Sequence, residues 1–279
     1  MKIIEQFIQG KHSPETCEDG LVVTDDFVAV VDGSTSKSPV QLRDDMRNGR
    51  YCMLEVSEFI KTMPADISLD DFCEGVTAHV RRLYGGGEEI YLRHPERRLC
   101  CSAVIYSRHC NAIWMVGDCQ CMTGGRVHTN DKPQEEEQGR RRAALFGQAC
   151  KDHPDMLDHE HCYPGTEIPA IRHDYARDQI VPFIVDTMKG ENVTYTVIDG
   201  FPIYREGIKV VAPDADTHEV VLASDGYPFL YPTLEATEDA LKALLVSDPY
   251  CIDRYKSAKG LMLGNHSFDD RTYIRFTIE

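Results

Sequence analysis

The chain has 279 residues, 42% hydrophobic and 27% charged, a balance that suits a globular protein with a sizeable core. Its net charge of −16, with no basic stripe to offset it, argues against nucleic acid as a partner. No run of about 18 apolar residues occurs, so no membrane span is expected. Residues 1–10, with Glu5 and Gln6 in the apolar part and no basic start, do not read as a signal peptide.

Taken in chain order, residues 2–8 read as a strand. Residues 21–24 and 27–31 read as two more, joined by a turn at Asp25-Asp26. The second of these is apolar on both faces and is expected to be covered on both. A helix is expected over about 40–62, with Met46, Met53, Leu54, Val56 and Ile60 on its apolar side. A second helix opens at Ser68, with Asp71 placed as in a capping box, and ends at Gly85-Gly86-Gly87. Strands follow at 100–106 and 112–116. A polar stretch over about 124–174 is expected to hold one or two surface helices, Glu135 to Arg142 among them as a solvated, charge-paired face. Strands return near 193–198, 208–211 and 219–223. A helix spans roughly 234–246, and a strand spans 272–278.

Neither a repeat nor a low-complexity linker divides the chain. Residues 1–279 read as one domain of α+β class, a layered sandwich with a polar insert at about 124–174. The 11 cysteines are odd in number and form no repeated framework. They read as reduced, mostly buried thiols of a cytoplasmic protein. Asp158-His159-Glu160-His161-Cys162 has metal-ligating residue types, but lies in the polar stretch and reads as a solvated loop.

Acidic residues recur at expected strand ends. They are Glu18-Asp19-Gly20, Asp32-Gly33, Gly117-Asp118, Ser224-Asp225-Gly226 and Asp269-Asp270. Asp-Gly is a common turn pair, and any one of these alone is a plain turn. Five acidic sites at strand ends can converge on one rim of a sheet, where hard cations such as Mg²⁺ and Mn²⁺ find oxygen ligands. So many carboxylates repel one another, and metal ions are expected to hold them together.

These motifs, in order, resemble those of the metal-dependent serine/threonine protein phosphatases of the PPM (protein phosphatase 2C-like) family. Glu18-Asp19 resembles the family's Glu-Asp, Val31-Asp32-Gly33 its strand into Asp-Gly, and Gly117-Asp118-Cys119 its Gly-Asp-Ser. Ala223-Ser224-Asp225-Gly226 resembles its Ser-Asp-Gly, and Asp269-Asp270-Arg271-Thr272 its final Asp-Asn/Asp-x-Thr. The resemblance implies an α-β-β-α sandwich of two mostly antiparallel sheets flanked by helices. It implies that Asp32 bridges two ions, Mn²⁺ or Mg²⁺, one completed by Glu18 and the Gly33 carbonyl, the other by Asp225 and Asp269. Asp19 would orient ligands or water from behind, and Asp118 would help hold a third ion. The implied activity removes phosphate from phosphoserine or phosphothreonine in a protein, or from a small phosphoester, through a metal-activated water. Glu18, Asp19, Asp32 and Asp225 would carry the chemistry, and no cysteine nucleophile is needed.

Two positions depart from the family pattern. Ser34-Thr35-Ser36 stands where the family has His-Gly-Gly, and a serine hydroxyl is a poor acid. Pro14 stands where a phosphate-binding arginine is usual. Lys11, His12, Lys37 and Arg43 are nearby replacements, of which Lys37 and Arg43 are taken as substrate-binding. The missing histidine supports a second class of function, a non-catalytic binding or regulatory module that retains the metal site.

Overall fold

The computed structural model describes residues 1–278. Its elements are β1 (Lys2–Gln9), β2 (Asp19–Val23), β3 (Phe27–Gly33), α1 (Asn48–Thr62), α2 (Leu69–Arg82), α3 (Glu88–Arg93), β4 (Cys101–Ser107), β5 (Ala112–Val116), β6 (Gln120–Thr123), β7 (Arg126–His128), α4 (Glu135–Asp152), β8 (Leu157–Cys162), β9 (Pro169–Ile171), α5 (Tyr175–Thr187), β10 (Lys209–Val211), β11 (Glu219–Ala223), α6 (Leu234–Ser247) and β12 (Arg271–Thr277). One sheet has the order β10-β5-β4-β3-β2 and a second the order β1-β12-β11-β6-β7, while β8 and β9 form a separate hairpin. Every pairing between these strands is antiparallel.

The two-residue period of the central strands decides the layering. Val28, Val30, Val104, Tyr106, Ile113 and Met115 point one way and meet Val220, Leu222, Ile274 and Phe276 of the second sheet. Phe27, Ala29, Val31, Ala103, Ile105 and Trp114 point the other way, onto Cys52, Val56 and Ile60 of α1 and Phe72, Val76 and Val80 of α2. The outer face of the second sheet, with Val221, Ala223 and Tyr273, is covered by Leu241 of α6 and by Leu230 and Phe268. The result is the expected four-layer α-β-β-α sandwich. The cysteines are free, with only Cys110 and Cys162 exposed. Among the described residues no helix is long and apolar enough to cross a membrane.

Several expectations are corrected. The first helix begins at Asn48, not near 40. Ahead of it, Leu42 N–H donates to Asn48 Oδ1 (2.9 Å) and Asn48 N–H to Gln41 Oε1 (2.7 Å), so side chains satisfy backbone groups that a helix would otherwise use. Residues 193–198 form no strand. Two isolated bridges remain, Ile198 with Cys101 and Tyr195 with Glu191, and Asn192 wraps the segment by accepting from Val197 and Tyr204 N–H. The polar stretch holds α4, but also β6 and β7 at its margin and the β8–β9 hairpin. Within α4, Glu137 pairs with Arg140 and Arg141 as a solvated face, whereas Arg142 is wholly buried and salt-bridged to Asp174. Asp158 is also buried, paired with Arg172 (2.8 Å) and His161 (3.1 Å).

Candidate metal centre

Antiparallel pairing gathers the acidic motifs at one rim. Asp32, near the end of β3, lies opposite Asp19 at the start of β2 and opposite Ser102 on β4. The start of β4 pairs with the end of β5, which brings in Gly117-Asp118. Gly117 has φ 94°, and a Cβ there would lie 2.1 Å from Ser102 Oγ. Glycine alone accepts that conformation at that distance, and it leaves Ser102 Oγ free to donate to Asp118 Oδ1 (2.5 Å). In the second sheet the end of β11 pairs with the start of β12, setting Asp225 beside Asp269-Asp270. β1 ends opposite Arg271, which carries Lys11 to the same rim. Two of the four Asp-Gly pairs (19-20, 32-33, 199-200 and 225-226), namely 19-20 and 32-33, lie inside strands rather than turns. At Gly33 the reason is close approach, since a Cβ would sit 2.3 Å from the Gly49 carbonyl oxygen.

Oxygens of Asp32, Asp118 and Asp225 lie within 4.8 Å of one another. Burial, then the like charges of Asp225, Asp19 and Asp118, push the Asp32 carboxyl well above the usual carboxylate range. Burial, with Asp118 and Asp269, pushes Asp225 up to about 6. Burial foremost, with Asp270, pushes Asp19 up to about 7. Burial alone would raise Asp118 too, but the Lys132 ammonium holds it below the usual range through a salt bridge to Oδ2. Asp269 is likewise held low against its burial, by Lys11 (3.0 Å) and by a salt bridge from Lys259.

Beside the acidic rim opens a cavity of about 810 Å³, whose lining includes Asp32, Asp118, Asp225, Lys37, Arg177 and Lys259. Lys37 Nζ donates to the Thr35 carbonyl, and Arg177 Nη1 donates to that of Ala258. Neither cation has a carboxylate partner in salt-bridge range among the described residues. Burial, with Arg177 and Lys259 nearby, pushes Lys37 down to about 7. Burial foremost also lowers Arg177. The acidic rim is thus flanked by cations suited to an anion.

No family model matches the chain, and no curated protein does. Among solved structures it is similar to a key regulatory component of T6SS in Pseudomonas aeruginosa (13% identity, 98% of this chain and 96% of that one, TM-score 0.46). It is also similar to a serine/threonine phosphatase from Staphylococcus aureus (13% identity, 100% and 96%, TM-score 0.46). A third is the PPM Ser-Thr phosphatase from Mycobacterium smegmatis in complex with cacodylate (15% identity, 100% of both chains, TM-score 0.43).

Of the residues singled out in the sequence, Asp32, Asp118 and Asp225 meet directly, and Gly33 and Lys37 line the same cavity. Glu18 and Asp269 stand at the rim but converge on Lys11 (3.6 and 3.0 Å). Asp19 is buried, with Oδ2 accepting from Thr272 Oγ1 (2.8 Å). Arg43 is not brought to the site. It is exposed, salt-bridged to Asp45 (2.8 Å), and outside the cavity lining. Ser34 and Thr35 do line it, and Thr35 Oγ1 donates to Glu18 Oε2 (2.7 Å). The expectation that only metal ions could hold these carboxylates together is corrected, because Lys11, Lys132 and Lys259 offset part of their repulsion. Lys132, Lys259 and Arg177 escaped notice in the sequence, since each lies in a loop or helix with no local motif.

The donor set itself fits a hard divalent cation at Asp32, Asp118 and Asp225. Asp19, opposite Asp32 on the neighbouring strand, has a buried carboxylate oxygen, Oδ1, without a hydrogen-bond partner, which further suits a cation at this rim. The Glu18–Asp269–Asp270 side fits less well, because two ammonium groups, Lys11 and Lys259, stand among its carboxylates, against Lys132 alone at Asp118.

Proposed function

We propose that this chain is a metal-dependent phosphomonoester hydrolase that removes phosphate from phosphoserine or phosphothreonine, using Mn²⁺ or Mg²⁺. The observation that carries the proposal is the convergence of Asp32, Asp118 and Asp225 at the rim of the cavity. It joins the ordered run of motifs in the sequence. When bound there, the metal supplies a water of lowered pKa and positive charge for the phosphate oxygens. Asp32, Asp118 and Asp225 would hold the metal, with the Gly33 carbonyl as a further oxygen donor. Asp19 would orient ligands or water from the neighbouring strand. Lys37 and Arg177 face the phosphate from the cavity wall and offset its charge as the leaving group departs.

The test is release of phosphate from an aryl phosphate and from a phosphothreonine peptide, with Mn²⁺ and with chelator. Asp32→Asn and Asp225→Asn are each expected to lower the rate by about 10²-fold or more, the scale of losing an electrostatic group at a reacting centre. Turnover that ignores both the chelator and the substitutions sinks the proposal. A second reading, a phosphatase-like binding module that keeps its metal, is favoured by Ser34, which lines the cavity at the position where the resembled family has a histidine. Saturable Mn²⁺ binding without turnover on either substrate would support it.

A further inference from the structure

The family resemblance implies two ions, with Glu18 on one and Asp269 on the other. In this chain both of those carboxylates turn to a single ammonium. Lys11 Nζ lies 3.0 Å from Asp269 Oδ1, 2.9 Å from Asp270 Oδ2 and 3.6 Å from Glu18 Oε2, and 3.4 Å from Thr35 Oγ1. Asp269, Asp270 and Thr35 thereby match the three N–H donors of an ammonium.

Lys11 is also fixed by its backbone. Its N–H donates to Asp270 Oδ1 (2.6 Å), and its carbonyl accepts from His266 N–H (2.7 Å). Asp270 therefore grips both the main chain and the side chain of the same residue. The remaining oxygen of Asp269 accepts from Lys259.

Charge separates the two halves of the rim. Asp32, Asp118, Asp225 and Glu135 face one ammonium, Lys132, and are left with three negative charges, which a divalent ion offsets. Glu18, Asp269 and Asp270 face two ammonium groups and are left with one. A divalent ion added there would leave excess positive charge beside two ammoniums, which Coulomb repulsion opposes. Asp19 borders both groups and does not alter the difference between them.

Taking the rim as a metal site, as proposed above, we infer that Lys11 stands in for one of two metal ions, so that this chain binds a single divalent ion at Asp32, Asp118 and Asp225. By drawing one ligand away from each of two expected ions, the Lys11 ammonium leaves three carboxylates for one.

The experiment counts Mn²⁺ bound per chain after chelator treatment, by calorimetric titration and by the electron paramagnetic resonance of bound and free Mn²⁺. The unaltered chain is expected to bind one ion with no spin-coupled pair signal. Lys11→Met, neutral and of similar length, is expected to bind two and to show the coupled signal. Lys11→Arg, which keeps the charge, is expected to stay at one. Two coupled ions in the unaltered chain overturn the inference while leaving the metal site standing. A folded Lys11→Met that still binds one also overturns it. No binding in any form, or binding undiminished in Asp225→Asn, removes the metal site itself. Should Lys11→Met fail to fold by circular dichroism, the counts for the unaltered chain and Lys11→Arg decide.

Discussion

A single guanidinium, Arg98, faces two buried carboxylates, Glu191 (3.4 Å) and Asp199 (2.9 Å). One positive charge does not offset two negative ones in a buried setting. Burial foremost, with Asp199 beside it, pushes Glu191 up to about 8, and burial pushes Asp199 up to about 6. Both folded values lie above those of free carboxyls, so the folded state holds protons that the unfolded chain releases. Their contribution to stability is therefore full below about pH 4 to 5 and is lost as pH rises, up to about 8 for Glu191. Glu191→Gln removes the larger of these titrations. Its stability, followed by urea midpoint from pH 5 to 8, is expected to fall less steeply than that of the parent. Parallel slopes would show that Glu191 is already ionised in the folded state. Neither Glu191 nor Arg98 had a motif to mark it in the sequence, because their juxtaposition depends on how residues 190–200 wrap against the start of β4.

Between α4 and α5, Phe146, Ala149, Met156, Ile171 and Ala176 pack together in a small core of their own. Arg142 of α4 ties that core to α5 and to the loop before β12. Its Nε donates to Asp174 Oδ2 (2.7 Å), and its Nη1 to the carbonyls of Tyr250 (2.8 Å) and Ser257 (3.2 Å). Asp174 also caps α5 by accepting from Arg177 N–H (2.9 Å), so one ion pair orients the helix that carries Arg177 to the cavity. Arg142→Met leaves Asp174 buried without its partner, and is expected to cost about 3–5 kcal/mol. The check is a lower urea midpoint at unchanged slope. A loss under about 1 kcal/mol would mean that solvent reaches Asp174 when the arginine is gone.

Over the whole molecule, 46 acidic against 30 basic residues leave a charge of −16. Exposed like charges oppose the compact state over a distance set by salt. Raising NaCl from about 0.01 to 0.15 M shortens the screening length from about 30 to 8 Å. The thermal midpoint is expected to rise over that range. A falling midpoint would show that the intramolecular pairs at the rim and elsewhere, which salt weakens, outweigh the surface repulsion.

The layered architecture was legible because it follows from local pattern. Buried residues at every position of β4 and β5, and at every position of β3 but Asp32, require cover on both faces, and the helical spacing of α2 supplies one cover. The acidic residues were legible for a related reason, since strand ends are marked by an apolar run stopping at Asp or Gly. Strand order was not, because a pairing such as β1 with β12 joins residues more than 260 apart with nothing local to announce it. Strand order is what sets Lys11 among Glu18, Asp269 and Asp270, and the packing of the insert is what brings Lys132 to Asp118. Residue types and their sequence thus marked out the carboxylates, while the charges set against them depend on long-range contacts that form only once both sheets and the insert are in place.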